Sequence, residues 1–188
     1  MIEYELKRAF DKYFDAPIAV WKTFAEACDI VKFRKNEIIK RAGEIERNGY
    51  FLLEGACGVF LWKENNYVCI DLVLEKDFFG DNMSLITGQP SPLETIALEK
   101  TRALRLSRGK YDQLKKTPIG SIIFLIAAEN SFVEKQKQQI DLLLKTAEQR
   151  YAELLNNQPQ IVQRIAQKHI ASYLGITAQS LSRIRRNL

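Results

Sequence analysis

Three residues near the end of the chain, Gln179, Ser180 and Arg183, have the side-chain chemistry to read base edges. A Gln amide can make two hydrogen bonds to adenine, and an Arg guanidinium can do the same to guanine. Gln179 and Arg183 are four apart, so on a helix they share one face. Around them Lys168, Thr177, Ser182, Arg185 and Arg186 offer donors suited to phosphate oxygens. Catalytic chemistry is far less evident. The chain has one histidine, His169, and three separated cysteines, Cys28, Cys57 and Cys69. It shows no Ser/His/Asp set, phosphate loop or metal-spaced cluster. No enzyme and no metal site are expected.

The charge distribution favours the same chemistry. The net charge over 188 residues is only +5. From Pro159 to Leu188, however, there are five bases (Arg164, Lys168, Arg183, Arg185 and Arg186) and no Asp or Glu. Residues 1–158 hold 23 bases and 23 acids, so the whole excess lies in the tail. Positive charge without acids suits a polyphosphate, because each phosphate neutralised releases counterions. Double-stranded DNA is the expected partner.

The elements that would position these side chains are legible. Ile170, Ala171 and Leu174 make one apolar face, and Gly175 follows where the chain must turn. Ile176 fills the space between two helices, and Thr177 is a good N-cap for the second. Leu181 and Ile184 form that helix's inner face, leaving Gln179, Ser180 and Arg183 outside. In a helix-turn-helix this N-terminal end enters the major groove.

Upstream, Thr117 and Pro118 begin a long helix. Ile119, Ile126, Val133, Ile140, Ala147 and Leu154 recur every seven residues, and Ile122, Ile123, Leu143, Leu144 and Tyr151 widen the stripe. Such a repeat reads as a coiled-coil seam that needs a second copy. The alternative is a helix packed along its own barrel. The seam turns polar near Glu129, Asn130, Gln136 and Lys137. Asn156, Asn157 and Pro159 end the helix and mark a boundary and hinge.

Residues 2–27 read as helical, through Leu6, Phe10 and Phe14 and then a second helix after Pro17. From Asp29 to Ser107 the period shortens. YFLLEG, CGVFLW, YVCIDLVL, ETIAL and RALRLS read as strands, and six of the nine glycines fall in this stretch. A β-barrel or sandwich follows. No apolar run approaches a membrane span, and the N-terminus lacks the apolar core of a signal peptide. The unmatched cysteine count fits a reducing compartment, so a cytoplasmic location is expected.

The ending HIASYLGIT, two residues, then SLSRIRR resembles the Crp/Fnr family of bacterial regulators, and YFLLEG resembles a Bacteroidetes-like branch of it. That resemblance implies an α+β fold. Residues 1–117 would be a cyclic-nucleotide-binding-like, cupin-like β-roll (a double-stranded β-helix or jelly-roll). Residues 118–157 would be a dimerisation helix, and 158–188 a winged-helix-like helix-turn-helix domain. It also implies a homodimer on palindromic DNA that regulates transcription and contacts RNA polymerase. The family's base-reading positions fall on Gln179, Ser180 and Arg183. The alternative is a ligand-sensing or protein-interaction module of the same fold without specific DNA binding.

The candidate effector pocket lies at Phe79, Gly80, Asp81, Asn82, Met83, Ser84 and Ser91. The family's phosphate cassette resembles F-G-E, a short helix, then Arg-Ala. Here Asp81 replaces the Glu, Ser91 stands where the Arg would be, and Glu94 is close by. Losing a charge-assisted contact costs roughly 1.5–3 kcal/mol. Weak or no cyclic AMP binding is therefore expected. No cofactor is assigned, and another small effector remains open. The clustered N-terminal cysteines of the iron–sulphur branch are absent, and a haem role would have only His169 as a histidine ligand.

Overall fold

The computed structural model describes residues 2–11, 13–63 and 66–187. Two helices, α1 (Ile2–Phe10) and α2 (Ile18–Glu26), precede eight strands. These are β1 (Asp29–Phe33), β2 (Ile38–Lys40), β3 (Asn48–Glu54), β4 (Cys57–Lys63), β5 (Asn66–Val73), β6 (Phe78–Phe79), β7 (Leu93–Ala97) and β8 (Thr101–Ser107). They form two four-stranded antiparallel sheets, in the orders β1-β8-β3-β6 and β2-β7-β4-β5. A short helix, α3 (Asn82–Thr87), lies between β6 and β7.

The strands read from sequence are present, and β1, β2 and β6 add to them. Gly55, between β3 and β4, has φ +99°, and a Cβ there would lie 2.6 Å from the Lys100 carbonyl oxygen. Only glycine fits this tight approach of two turns.

One apolar cluster joins α1, α2 and the outer face of the β1/β8/β3/β6 sheet, through Leu6, Phe10, Trp21, Phe24, Phe51, Leu104 and Ile123. A second lies inside the roll around Tyr50, Leu52, Cys57, Phe79 and Ala103. All three cysteines are free thiols. Burial pushes each thiol up to about 12, so they act as small apolar groups.

After α4 (Arg108–Lys115), the long helix is α5 (Pro118–Leu144). Thr117 caps it by accepting the Gly120 amide at 3.0 Å. The expectation of one helix to Asn157 is corrected. Lys145 turns extended and α6 (Ala147–Asn157) starts afresh. The cause is a capping box: the Thr146 hydroxyl accepts the Gln149 amide and the Gln149 side chain accepts the Thr146 amide. The seven-residue repeat crosses this break, so Ala147 and Leu154 do not continue the line from Ile119 to Ile140. Leu154 and Tyr151 are buried in the chain's own core, and Ala147 packs against it.

Three further helices follow: α7 (Pro159–Arg164), α8 (Gln167–Tyr173) and α9 (Ala178–Asn187). The break at Gln158 separates two helices but not two cores. One cluster holds Ala56, Phe60, Cys69, Leu72 and Leu98 of the roll together with Tyr151, Leu154, Ile161, Ile165, Ile170, Ala171, Leu174, Leu181 and Ile184. No strand follows Ser107 among the described residues, which corrects the winged-helix-like expectation: the C-terminal part is helical throughout.

Polar bonds reinforce this shared core. The Arg164 guanidinium contacts Glu75 at 2.7 and 2.8 Å, Glu99 at 2.6 and 3.3 Å, and the Gly55 carbonyl at 3.0 Å. Counted in the sequence as part of the positive tail, Arg164 is instead neutralised by two acids of the roll. On α8, the Ser172 hydroxyl accepts the Cys69 amide at 2.8 Å and donates to the Tyr67 carbonyl at 3.2 Å, tying the helix to the open edge of β5.

The Arg164 guanidinium holds the Glu75 carboxyl down at about 2. A carboxyl depressed in the folded state stabilises the fold above its ordinary value, and that share is lost as the pH falls toward 2. Arg164→Gln is expected to remove this share. Acid unfolding followed by circular dichroism should therefore become shallower between about pH 4.5, near the ordinary Glu value, and about pH 2. An unchanged acid limb would contradict the assignment.

Candidate nucleic-acid interface and β-roll cavity

The α8–α9 unit is built from its turn outward. Gly175 takes φ +70°, a left-handed conformation that glycine adopts without strain. The Ile176 amide bonds back to the Ala171 carbonyl at 2.9 Å, closing the turn. Ala171 is 1% exposed, so a larger residue would wedge the two helices apart. The Thr177 hydroxyl accepts the Ser180 amide at 3.1 Å and caps α9.

With Leu181 and Ile184 buried, the opposite face of α9 is open. Gln179 and Arg183 are exposed there, as are Ser182, Arg185 and Arg186, and Lys168 is exposed on α8. None of these cations makes an ion pair among the described residues. Ser180 differs from its companions. It is half-buried, and its hydroxyl sits 3.0 Å from that of Thr177. His169 turns toward the roll. Its ring lies 5.2 Å from that of Phe60, edge to face. Burial, with Lys168 beside it, lowers its pKa and favours the neutral imidazole.

In the roll, a cavity of about 1340 Å³ opens between the sheets and α5. It reaches Phe79, Gly80, Asp81, Asn82 and Met83 of the expected pocket, but Ser84 and Ser91 do not line it. Those two serve an internal network. Asp81 caps α3 by accepting the Ser84 amide at 3.0 Å. Its other oxygen accepts the Lys40 ammonium at 2.8 Å and the Ser91 hydroxyl. Lys40 also reaches Ser91 at 3.0 Å and the Leu93 carbonyl at 2.9 Å. Lys40 is 4% exposed, Asp81 1% and Ser91 3%. Burial works against the Asp81 charge, but the bonds from Lys40, Ser91 and Ser84 outweigh it and keep its pKa below the usual value.

Lys40 is the partner that sequence reasoning missed. Nothing local in Ile38–Lys40 signals a bond to a residue forty-one positions away. Glu46, also missed, is 2% exposed beside this network. One of its oxygens accepts the Arg47 and Asn48 amides. Burial pushes its carboxyl up to about 6. Lys40 is the one buried cation among the described residues, and it is already paired. A ligand phosphate entering here would meet the Asp81 carboxylate. These residues do not fit an anionic cyclic nucleotide in the manner that the cassette would require.

Comparison with known proteins agrees with this architecture. Residues 30–117, a little under half of the chain, match the cyclic nucleotide-binding domain family. No curated protein sequence matches the chain. Among solved structures, FixK2 from Bradyrhizobium japonicum is 19% identical with a TM-score of 0.75, covering 86% of this chain and 84% of its own. The global regulator CLP from Xanthomonas campestris, described as responsive to c-di-GMP, is 12% identical with a TM-score of 0.73, and 91% of each chain is covered. The catabolite activator protein of Thermus thermophilus is 18% identical with a TM-score of 0.60, covering 96% of this chain and 85% of its own. No helix among the described residues is long and apolar enough to cross a membrane. The barrel is thus similar in sequence to cyclic nucleotide-binding domains, and the fold likeness runs on from it into the C-terminal helices.

Proposed function

We propose that this chain is a sequence-specific DNA-binding transcription regulator of the Crp/Fnr type, acting as a homodimer. The α8–α9 pair carries this reading as a helix-turn-helix. It has a left-handed glycine in the turn, a capped second helix, and an exposed Gln179/Arg183 face with no acid from Pro159 to Leu188. Gln179 and Arg183 are assigned to base edges. Ser180 would first give up its contact with Thr177. Lys168, Thr177, Ser182, Arg185 and Arg186 are assigned to phosphates. RNA polymerase is the expected downstream partner of such a regulator.

The homodimer reading rests on α5. Its outer side exposes Ile119, Phe132, Val133, Ile140, Leu143 and Leu144, with Phe132 at 66% and Leu143 at 80%. So long an apolar row on one helix suits a matching helix from a second copy. Ile126 is half-buried on the same line. The proposed seam is therefore Ile119, Ile126, Val133 and Ile140, extended by Leu143. The roll serves as a scaffold that does not take cyclic AMP, because Asp81 already occupies the anion's place beside Lys40. An effector of the cavity would be another small molecule.

Four outcomes check these assignments. Gln179→Ala with Arg183→Ala should erase the preference for a selected duplex over random duplex. Each lost base contact should cost about 1–3 kcal/mol. Arg185→Ala with Arg186→Ala should instead weaken both duplexes alike and flatten the salt dependence by roughly 0.9 per contact. If the first pair bound both duplexes as the unmodified protein does, the base assignment would be wrong. In sedimentation at micromolar concentration the protein should run as a dimer, and Val133→Glu with Leu143→Glu should run as a monomer. A monomeric unmodified protein would sink the seam. Titration calorimetry with cyclic AMP should give no binding heat, and micromolar affinity would refute the Asp81 argument.

A further inference from the structure

The cavity beside α5 does not end inside the roll. β3 and β6 pair Tyr50 with Phe79 and Phe51 with Phe78. Neighbouring residues of a strand face opposite sides of its sheet. Tyr50 and Phe79 accordingly belong to the cluster inside the roll, and Phe51 and Phe78 pack with α1 and α2 on the outer face. All four line the same cavity of about 1340 Å³. The space therefore passes round β6, a two-residue strand at the edge of its sheet, and continues as a slot on the outer side.

Six rings reach this outer section: Phe10, Phe24, Phe51, Phe78, Tyr111 and Phe124. They fall into two groups. Phe78 lies edge to face with Phe51 at 5.3 Å and with Phe10 at 5.6 Å. Phe124 of α5 lies 4.4 Å from Tyr111 and 6.1 Å from Phe24. No ring contact joins one group to the other among the described residues. Small side chains, Ala9 on α1 and Ala127 and Ala128 on α5, complete the wall. The lining contributed by α1, α2, β3, β8 and α4 includes no charged residue. On α5 the charged lining begins at Glu134, about 9 Å along the helix from Ala128.

The section is too enclosed to admit a protein segment. Phe10, Phe24, Phe51, Leu104 and Leu106 in its wall are all buried, and its rim lies at the exposed Tyr13 and Ala128. An apolar cavity stays dry and takes small apolar molecules. Flat rings gain further from edge-to-face and offset contacts with aromatic walls. An ion would lose its hydration there and meet no counter-charge. We propose that this slot binds a neutral, flat aromatic molecule of one or two fused rings, held between the two ring groups. The proposal deepens the reading above that an effector of the cavity is a small molecule other than cyclic AMP. It places that molecule outside the roll, away from the Lys40–Asp81 pair. Phe124 and Ala127 stand on the inner side of α5, whose outer side carries Ile119 and Val133. An occupant therefore bears on the helix of the proposed seam.

The test is a fluorescence titration of the full chain with naphthylamine, a neutral two-ring fluorophore whose emission shifts in apolar surroundings. The comparison probe is its sulfonate, with the same rings and one negative charge. The unmodified protein should bind naphthylamine saturably and the sulfonate at least about tenfold more weakly. Ala127→Phe fills the slot and Ala128→Phe closes its rim. Each should weaken naphthylamine binding by about tenfold or more. Ala128 is exposed, so its variant keeps the fold where Ala127→Phe does not, as circular dichroism can verify. Unchanged affinity in every folded variant would overturn the proposal, as would no saturable binding or equal affinity for the sulfonate. A loss of probe sites as the protein dimerises with rising concentration would give the slot to a second copy and overturn it too. The titration contains no DNA, so failure of the DNA-binding reading leaves its result standing. Calorimetry with cyclic AMP reports on the interior of the roll alone.

Discussion

The C-terminal helices cannot stand alone, and this constraint shapes the whole molecule. α7, α8 and α9 have 6, 7 and 10 residues. Isolated helices below about 12–15 residues are marginal in water. Their stability must come from packing, and the packing is shared with the roll. Each aliphatic side chain fully buried there contributes about 1.5–3 kcal/mol. The posture of the helix bearing Gln179 and Arg183 is therefore set by Phe60, Cys69, Leu72 and Leu98 as much as by its own turn. Arg164 adds direction to this adhesion, because its fork matches two carboxylates and a carbonyl in one arrangement.

α5 resolves a conflict between two demands on one helix. Its inner side must cover the roll: Ile123 is 2% exposed, Lys135 pairs with Asp71 at 2.6 Å, and Gln138 donates to the Ile70 carbonyl at 3.1 Å. Its outer side keeps a row of large apolar groups in the open. Lys135 and Gln138 belong to the face that serves β5, whereas Phe132, Val133 and Ile140 belong to the other. The reading of this helix as packed on its own barrel describes its inner side; the outer side is apolar and exposed.

Legibility in the sequence followed the range of the interactions. Short-range features were readable: the Thr117–Pro118 start of α5, the turn at Gly175, the cap at Thr177 and the alternating strands. Each is set by residues within one turn or one hairpin. The break at Lys145 was also local, and Thr146-x-x-Gln149 is a capping box in plain view. The apolar repeat running through Ala147 and Leu154 masked it, because period alone does not say whether an apolar residue faces a second chain or its own core. Long-range pairs left no mark. Lys40 with Asp81, Arg164 with Glu75 and Glu99, and Ser172 with the β5 edge link residues 41, 89, 65 and 103 positions apart. Charge counting placed Arg164 with the free cations because composition cannot register such neutralisation.

The buried polar centre of the roll shows how one substitution changes a site's meaning. A Lys in the interior needs a counter-charge, since an unpaired buried ammonium is far too costly. Asp81 supplies it, and by capping α3 it also satisfies the Ser84 amide at the helix start. Ser91 fits the same oxygen without bringing a charge of its own. An Arg at position 91 would add a second cation to a seat already neutral, and an anion from outside would then be required to balance it. With Ser91, the balance is reached within the chain. The nearby Glu46 is buried beside this network, and burial raises its carboxyl pKa. The roll thus retains the frame of a nucleotide-binding domain while its charge is closed internally. What it offers the C-terminal helices is a rigid surface, continuous from β5 to the β7–β8 turn, against which short helices can be held in one posture.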